Sequence, residues 1–405
     1  MSKTVELLSP AGDMERLQYA IEYGADAIYL GAESYGMRAA PKNFTVEQLN
    51  NAVIYAHERG KRVYLTLNTV PNNAEIAVLP DFIRRVRETG IDAFIVADLG
   101  VLAVCKNIAP EIELHFSTQV GIANYVAANA AYDLGAKRVV LARELSLNEI
   151  AFIRDNTPSD LELEAFVHGA MCMSFSGRCL LSHYMKGRDA NKGECAQPCR
   201  WQYTLHSDEK PNAEYEINED ESGSYILNAD DLCTAPFIDK LIEAGIDSLK
   251  IEGRAKSFYY VASVTQAYRK AVDAALKEGS DFVCPNDVLE ELTRTSHRHY
   301  STGFFFGKEG ATQNTEFGGY IREWDVIGVV EDYNDGIVLC TQRGKFTLGD
   351  ELEALTPNGK LISFTPSFIW NEENEEITAT PHAMMVFKIP YNEELPRYTI
   401  LRKKL

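Results

Sequence analysis

Five cysteines fall within one segment of this chain, and thiols at that density bind soft metals or take part in reactions. Cys172 and Cys179 bracket the serine- and glycine-rich run Met-Ser-Phe-Ser-Gly-Arg, Cys195 and Cys199 bracket Ala-Gln-Pro, and Cys233 follows Asn228-Ala-Asp-Asp-Leu. Soft thiolate donors suit zinc or an iron–sulfur cluster. Structural zinc sites favour tightly spaced cysteine pairs, and only Cys195 and Cys199 are so spaced, which favours a cluster over zinc or unligated thiols. The remaining cysteines, Cys105, Cys284 and Cys340, stand alone and read as small buried hydrophobes. A radical-SAM run is absent, since Arg200 and Trp201 follow Cys199.

A second set of candidates sits where apolar runs end: Ser9 with Gly12, Asn68, Asp98, Gln119, Arg143 with Glu144, His168, and Glu252 with Arg254. A guanidinium fork binds carboxylate or phosphate through two parallel hydrogen bonds, so Arg143 and Arg254 are the expected holders of a small anionic substrate. Structural ion pairs are the competing reading. Glu252 and His168 are the expected proton carriers, although His168 equally suits a satisfied supporting role. Lys186, Arg188, Lys192, Arg200 and Trp201 surround the cysteines, and Lys256, Tyr259 and Tyr260 follow the last of these runs. Cations interleaved with aromatics hold phosphates and stack unpaired bases. A solvated rim with packed rings is the alternative. His297, Arg298, His299 and Tyr300 extend the same pattern.

The elements that must position these residues follow one rhythm. Short apolar strands are predicted at Val5–Leu8, Ala27–Gly31, Arg62–Leu67, Ala93–Ala97, Glu113–Ser117, Arg138–Ala142 and Leu161–Val167. Amphipathic helices lie between them, as at Asp13–Tyr23, Val46–Arg59, Ala74–Glu88, Tyr125–Leu134 and Ser146–Asp155, and several stop at a glycine placed for a left-handed cap. The eighth unit is displaced: helix Phe237–Ala244, then strand Ser248–Ile251, then helix Tyr259–Leu276. Eight such units predict an α/β fold, a (β/α)8 TIM-type barrel over residues 1–300, with an open doubly wound sheet as the fallback. The interval 169–233 is too long for an ordinary connection and reads as a cysteine-bearing insertion after strand seven, on the face where barrel active sites lie. Residues 301–405 lose the helical rhythm. Candidate strands Gly318–Tyr320, Asp325–Val330, Gly336–Gln342 and Ile362–Ile369, with Asn-Asp-Gly and Pro-Asn-Gly turns, predict a small all-β barrel domain of the kind that often binds nucleic acid.

Composition limits the function classes. The 405 residues exceed the size of one core, and 45% hydrophobic with 24% charged residues is ordinary for a globular protein. A formal charge of −19 argues against a generally basic nucleic-acid binder without excluding a local basic patch. The acidic runs Asp208–Glu221 and Asn371–Glu376 read as solvated loops. Neither a leader at MSKTVELLSPAGD nor a membrane-length apolar stretch is present, so cytoplasmic action without a membrane is expected.

The run EAFVHGAMCMSFSGRCLLS resembles the signature of peptidase family U32, and GRDANKGECAQPCRW with SLKIEGRAKSFYY resembles its tRNA-hydroxylating branch. The resemblance runs from LLSPAGD through the helix after Tyr260 and extends to the trailing β-domain. It implies oxygen-independent hydroxylation of wobble uridine to 5-hydroxyuridine, with prephenate as co-substrate and the tRNA anticodon loop as partner. It also implies a [4Fe–4S] cluster. Cys172, Cys179 and Cys195 match the motif cysteines, Cys233 takes the place of a distant fourth ligand in quinone-pathway relatives, and Cys199 is the alternative fourth ligand found in others. Further expectations are hydroxylation of ribosomal RNA or a quinone precursor, a collagenase-like peptidase, a zinc-holding RNA-binding scaffold, and a homologous partner subunit. His57-Glu58-Arg59-Gly60-Lys61 is not a zinc-protease motif and no G-x-S-x-G elbow occurs, which leaves a peptidase only a cysteine nucleophile with His168.

Overall fold

The computed structural model describes residues 4–33, 43–172, 174, 179, 181–188, 195–201, 219–220, 223–224, 229–312 and 319–405. Lys192, Gly318 and most of the Asp208–Glu221 run lie outside them. Seven βα units open the chain: β1 (Glu6–Pro10), α1 (Met14–Glu22), β2 (Ala27–Gly31), α2 (Val46–His57), β3 (Arg62–Leu67), α3 (Asn73–Arg87), β4 (Ala93–Val96), α4 (Leu99–Ile108), β5 (Glu113–Phe116), α5 (Tyr125–Asp133), β6 (Arg138–Val140), α6 (Leu147–Asp155) and β7 (Glu162–Ala170). The insertion follows, with helix α7 (Leu181–Lys186), a two-residue hairpin pair β8 (Glu219–Asp220) and β9 (Gly223–Ser224), and β10 (Asp231–Cys233). Then come α8 (Ile238–Glu243), β11 (Ser248–Ile251), α9 (Phe258–Glu278), α10 (Asn286–Arg294) and β12 (Tyr300–Ser301).

Strands β1 to β7 pair in sequence and in parallel, and β11 pairs with both β7 and β1, closing an eight-stranded barrel. Each predicted barrel strand lies within a residue or two of its observed place, except that β7 runs three residues further, to Ala170. The helices start where side chains take up the free N–H groups of the first turn: Thr45, Asn72 and Ser146 each cap their own helix and receive a glutamine or glutamate in return. Gly24, Gly60, Gly90 and Gly135 end helices at positive φ, as their spacing predicts.

One face of the strands packs against the helices, through Leu7, Ile28, Leu65, Phe94 and Leu163 among others. The opposite face fills the barrel interior, half with Leu8, Ala27, Tyr29, Tyr64, Ala93 and Ile95. The other half is ionic. Arg138 bridges Glu6, Glu162 and Glu164, Ser248 donates to Glu6 at 2.9 Å, and Tyr64 donates to Glu6. Burial works to neutralise Glu6 and Glu164, and their charges persist because each faces a cation.

Seven strands form the C-terminal domain, an antiparallel sheet in the order β16-β15-β19-β13-β14-β18-β17, with β13 (Trp324–Asn334), β14 (Ile337–Gln342), β15 (Leu352–Leu355), β16 (Leu361–Phe364), β17 (Trp370–Asn371), β18 (Val386–Pro390) and β19 (Ile400–Lys404). Tyr320, predicted within a strand, instead precedes an isolated bridge between Ile321 and His297. The domain docks firmly on the barrel. Tyr19, Tyr23 and Tyr259 pack against Val329, Leu355 and Ile400, and Tyr23 Oη donates to the Leu355 and Tyr398 carbonyls. Arg402 is fully buried at this junction, bonded to both Glu291 oxygens at 2.6 and 2.7 Å and to Glu353 at 2.7 Å. No helix among the described residues is long and apolar enough to cross a membrane.

Candidate active site

A cavity of about 940 Å³ opens at the C-terminal ends of the barrel strands and is roofed on one side by the C-terminal domain. Of the strand-end candidates, Asn68, Gln119, Arg143, Glu144, Glu252 and Arg254 line it. Ser9 does not, since its hydroxyl meets Thr265 at 2.8 Å in the helix layer, and Asp98 is spent capping α4. Lys250, Thr66, Tyr29 and Phe166 also line the floor, and Tyr320, Arg322, Trp324 and Arg343 come from the C-terminal side. Seven Lys or Arg side chains and three carboxylates line the cavity, whereas the whole chain has 40 basic and 59 acidic residues. The local field therefore opposes the net charge and attracts anions.

Three cations on the floor are held in place. Arg254 is nearly buried and donates to Thr66 Oγ1 at 2.6 Å. Its guanidinium lies across Gly31, where an added Cβ would come within 2.7 Å of two of its nitrogens. Arg143 stacks 3.8 Å from the Phe166 ring centroid, donates to the Ala170 carbonyl at 2.9 Å and pairs with Glu252 at 3.5 Å. Lys250 pairs with Glu164 at 2.7 Å and sits 4.5 Å above the Tyr29 ring. Burial works to raise the Glu164 carboxyl, but the Lys250 and Arg138 charges overcome it and hold it at about 2. Among the described residues, Asn68 Oδ1 and Arg143 Nε are buried without a hydrogen-bond partner. Such groups turned to a cavity are satisfied when a ligand arrives.

Cys172, Cys179, Cys195 and Cys199 line the same cavity. The first and third are exposed and the others half-buried. Cys179 Sγ accepts the Leu181 N–H at 3.3 Å and Cys195 Sγ that of Gln197 at 3.4 Å. Ser182, fully buried, ties the two loops together by accepting the Ala196 N–H at 2.9 Å. Backbone N–H groups aimed at sulfur stabilise thiolates and tune iron–sulfur clusters. Among the described residues no three His, Cys, Asp or Glu groups stand close enough to hold a metal ion. The donors thus fit a cluster in kind and in location. Arg188 lines the cavity as well, and the Lys186 ammonium lies 5.3 Å from the Trp201 ring.

Two sequence candidates point elsewhere, for one reason. Strand β7 bulges opposite β11: Lys250 pairs with Phe166 but Ile251 pairs with His168, so Val167 is extra. A one-residue shift turns every later side chain to the other face. His168 therefore leaves the cavity and is buried among Tyr260, Tyr268 and Tyr300, with ring centroids 5.3 to 5.9 Å away. Burial pushes its imidazole down to about 3, with the Lys256 and His297 charges acting in the same direction. Cys233, its register partner on β10, follows it into the helix layer, where Tyr268 Oη lies 3.9 Å from the sulfur and burial pushes the thiol up to about 11. A cysteine nucleophile needs the reverse, a lowered thiol beside a raised imidazole.

Comparison with known proteins adds chemistry to this geometry. The pattern described as Peptidase family U32 matches residues 12–315, and that described as Peptidase family U32 C-terminal domain matches 322–402. The tRNA hydroxylation protein P1 of Bacillus subtilis is 37% identical over 100% of this chain and 96% of its own length. The 23S rRNA 5-hydroxycytidine C2501 synthase of Escherichia coli is 36% identical over 82% of this chain and 50% of its own. A protein of Porphyromonas gingivalis named Collagenase is 32% identical, over 88% of each chain.

Proposed function

The chain belongs to peptidase family U32, and from that membership we propose that it hydroxylates RNA, replacing C5–H of the wobble uridine in a tRNA anticodon loop by C5–OH with prephenate as hydroxyl donor. The observation that carries this reading is the convergence of four thiols and three fixed cations on one cavity whose charge is opposite to that of the chain. The relatives named for tRNA and rRNA hydroxylation support the reaction class. A tRNA substrate makes the site of action the cytoplasm.

The residues divide the work. Arg254 and Arg143, supported by Lys250, bind the carboxylates of the donor, and two guanidinium forks match a dicarboxylate better than point charges do. A base reaches the cavity only outside its stack, which an anticodon loop permits at small cost. If prephenate yields its hydroxyl as hydroxide, replacing C5–H by C5–OH releases one proton and two electrons from the base; Glu252, held 3.5 Å from Arg143, is placed to accept the proton, and a two-electron acceptor must take the electrons. Cys172, Cys179 and Cys195 would hold a [4Fe–4S] cluster, with Cys199 as the fourth donor because it shares their cavity while Cys233 does not. When bound, such a cluster supplies electron transfer or a Lewis-acidic iron.

The peptidase reading draws support from the collagenase name of one relative. It needs a cysteine such as Cys172 beside His168, and the geometry speaks against that pairing, since Cys172 lines the cavity while His168 is buried outside it among Tyr260, Tyr268 and Tyr300. Nucleoside mass spectrometry of tRNA from a strain lacking the protein tests the proposal. Loss of 5-hydroxyuridine and its derivatives is expected. Unchanged levels, in a strain with no second copy, would refute it, and loss of a hydroxycytidine from ribosomal RNA instead would reassign the target.

A further inference from the structure

Resting on the RNA reading above, we propose that Tyr320, flanked by Lys256 and Arg298, is a stacking step for the nucleotide adjacent to the one inside the cavity, so that the barrel and the C-terminal domain grip single-stranded RNA together. Tyr320 lines the cavity mouth from the segment that joins the two domains and remains 41% exposed. The Lys256 ammonium lies 4.4 Å from its ring centroid and the Arg298 guanidinium carbon 4.5 Å. Arg298 also donates to Tyr320 Oη at 2.9 Å.

Each partner is fixed independently of Tyr320. Arg298 is buried and anchored by Asp231, which accepts from both its backbone N–H and its guanidinium at 3.2 Å. Lys256 forms no ion pair among the described residues; its ammonium donates to the Ser296 carbonyl at 3.4 Å and lies 5.0 Å from the Tyr260 ring. Its charge is therefore not cancelled by a carboxylate. The firm docking of the C-terminal domain through Arg402 and Tyr23 holds the step at a constant height above the cavity. An aromatic ring kept accessible beside two cations matches the face of a base and its phosphate. In a chain with net charge −19, RNA affinity must come from such a local patch.

Fluorescence anisotropy with full-length, anaerobically prepared protein and a labelled, unmodified anticodon stem-loop RNA tests the step, with a blunt-ended, fully paired RNA duplex as comparison. Tyr320→Ala and Tyr320→Leu should weaken stem-loop binding by about 5- to 150-fold, the range of one lost stacking contact, and Tyr320→Phe should stay near the wild type. Lys256→Gln should lower the salt slope by about 0.7, one phosphate on a single strand. If the wild type binds the stem-loop and Tyr320→Leu binds it within about twofold, with its melting temperature unchanged, the step is refuted while the RNA reading stands. Equal wild-type affinity for the paired duplex would refute single-strand stacking. A wild-type protein that binds neither RNA would overturn both proposals.

Discussion

Replacing His168 by asparagine should flatten the stability of this protein against pH, by an amount that the burial of the ring determines. The imidazole is neutral in the folded chain because its protonated form is held down to about 3, whereas in the unfolded chain it titrates at about 6.5. A base with a depressed folded pKa is uncharged in both states at pH 7.5 and costs nothing there. As pH falls below 6.5 the unfolded chain binds a proton that the folded chain refuses, so stability declines until the folded pKa is reached. At pH 5 the decline from this residue is about 2 kcal/mol, at pH 3 about 4 kcal/mol, and it levels off near ~5 kcal/mol below that. Denaturant melts at pH 7.5 and 5 give the comparison: wild type should lose about 2 kcal/mol more over that interval than His168→Asn. Equal slopes would mean that His168 is protonated in the folded protein, which would restore it as a proton carrier. The variant should also keep the pH profile of tRNA hydroxylation, since the ring lies outside the cavity.

Three further outcomes follow from the site. In anaerobic preparations, Cys172→Ser, Cys179→Ser, Cys195→Ser and Cys199→Ser should each lose iron and visible absorbance, while Cys233→Ser keeps them; loss in Cys233→Ser alone among the last two would make β10 the source of the fourth ligand. Gly31→Ala should push the buried guanidinium of Arg254 off Thr66, at some cost in stability, and weaken binding of a dicarboxylate by about tenfold or more, as removing one guanidinium contact would; calorimetric titration of the folded variant with prephenate checks it, and unchanged affinity would place the anion elsewhere. Arg402→Met leaves Glu291 and Glu353 to share Arg294, 3.4 and 3.1 Å away, as their remaining cation in the domain junction and should cost up to about 3–5 kcal/mol, seen as a lowered thermal midpoint, whereas a shift too small to measure would show that Arg294 and water suffice for both carboxylates.

The barrel was legible because each βα unit is local: an apolar strand, a polar turn, a capped helix and a glycine stop all fall within a few tens of residues. The C-terminal sheet was less so. Its strands pair across long separations, as β13 does with β19, and two of the missed strands, β18 and β19, lack the bounding turn motifs that marked β14. Lys250 went unnoticed as a site residue because Ser248–Ile251 reads as one buried strand, and only the closure of the barrel reveals that its ammonium faces inward to Glu164.

The placing of His168 and Cys233 shows a harder limit. By strict alternation from Glu164 and Phe166, which face inward, His168 should face inward too. The extra Val167 breaks that parity, and nothing in Phe-Val-His-Gly announces it. Gly169 supplies the physical reason a bulge is tolerated there: it takes φ of +103°, and a Cβ at that position would come within 2.7 Å of the Glu252 carbonyl and 3.0 Å of Tyr260 Oη. The chain therefore turns sharply after the bulge and delivers Ala170, Met171 and Cys172 back to the cavity. The bulge and the glycine act as a pair. One takes the histidine out of the site and the other returns the first cysteine to it, so Gly169→Ala should disturb Cys172 while leaving His168 in place, with cluster loss at preserved pH-dependent stability as the outcome that separates the two roles.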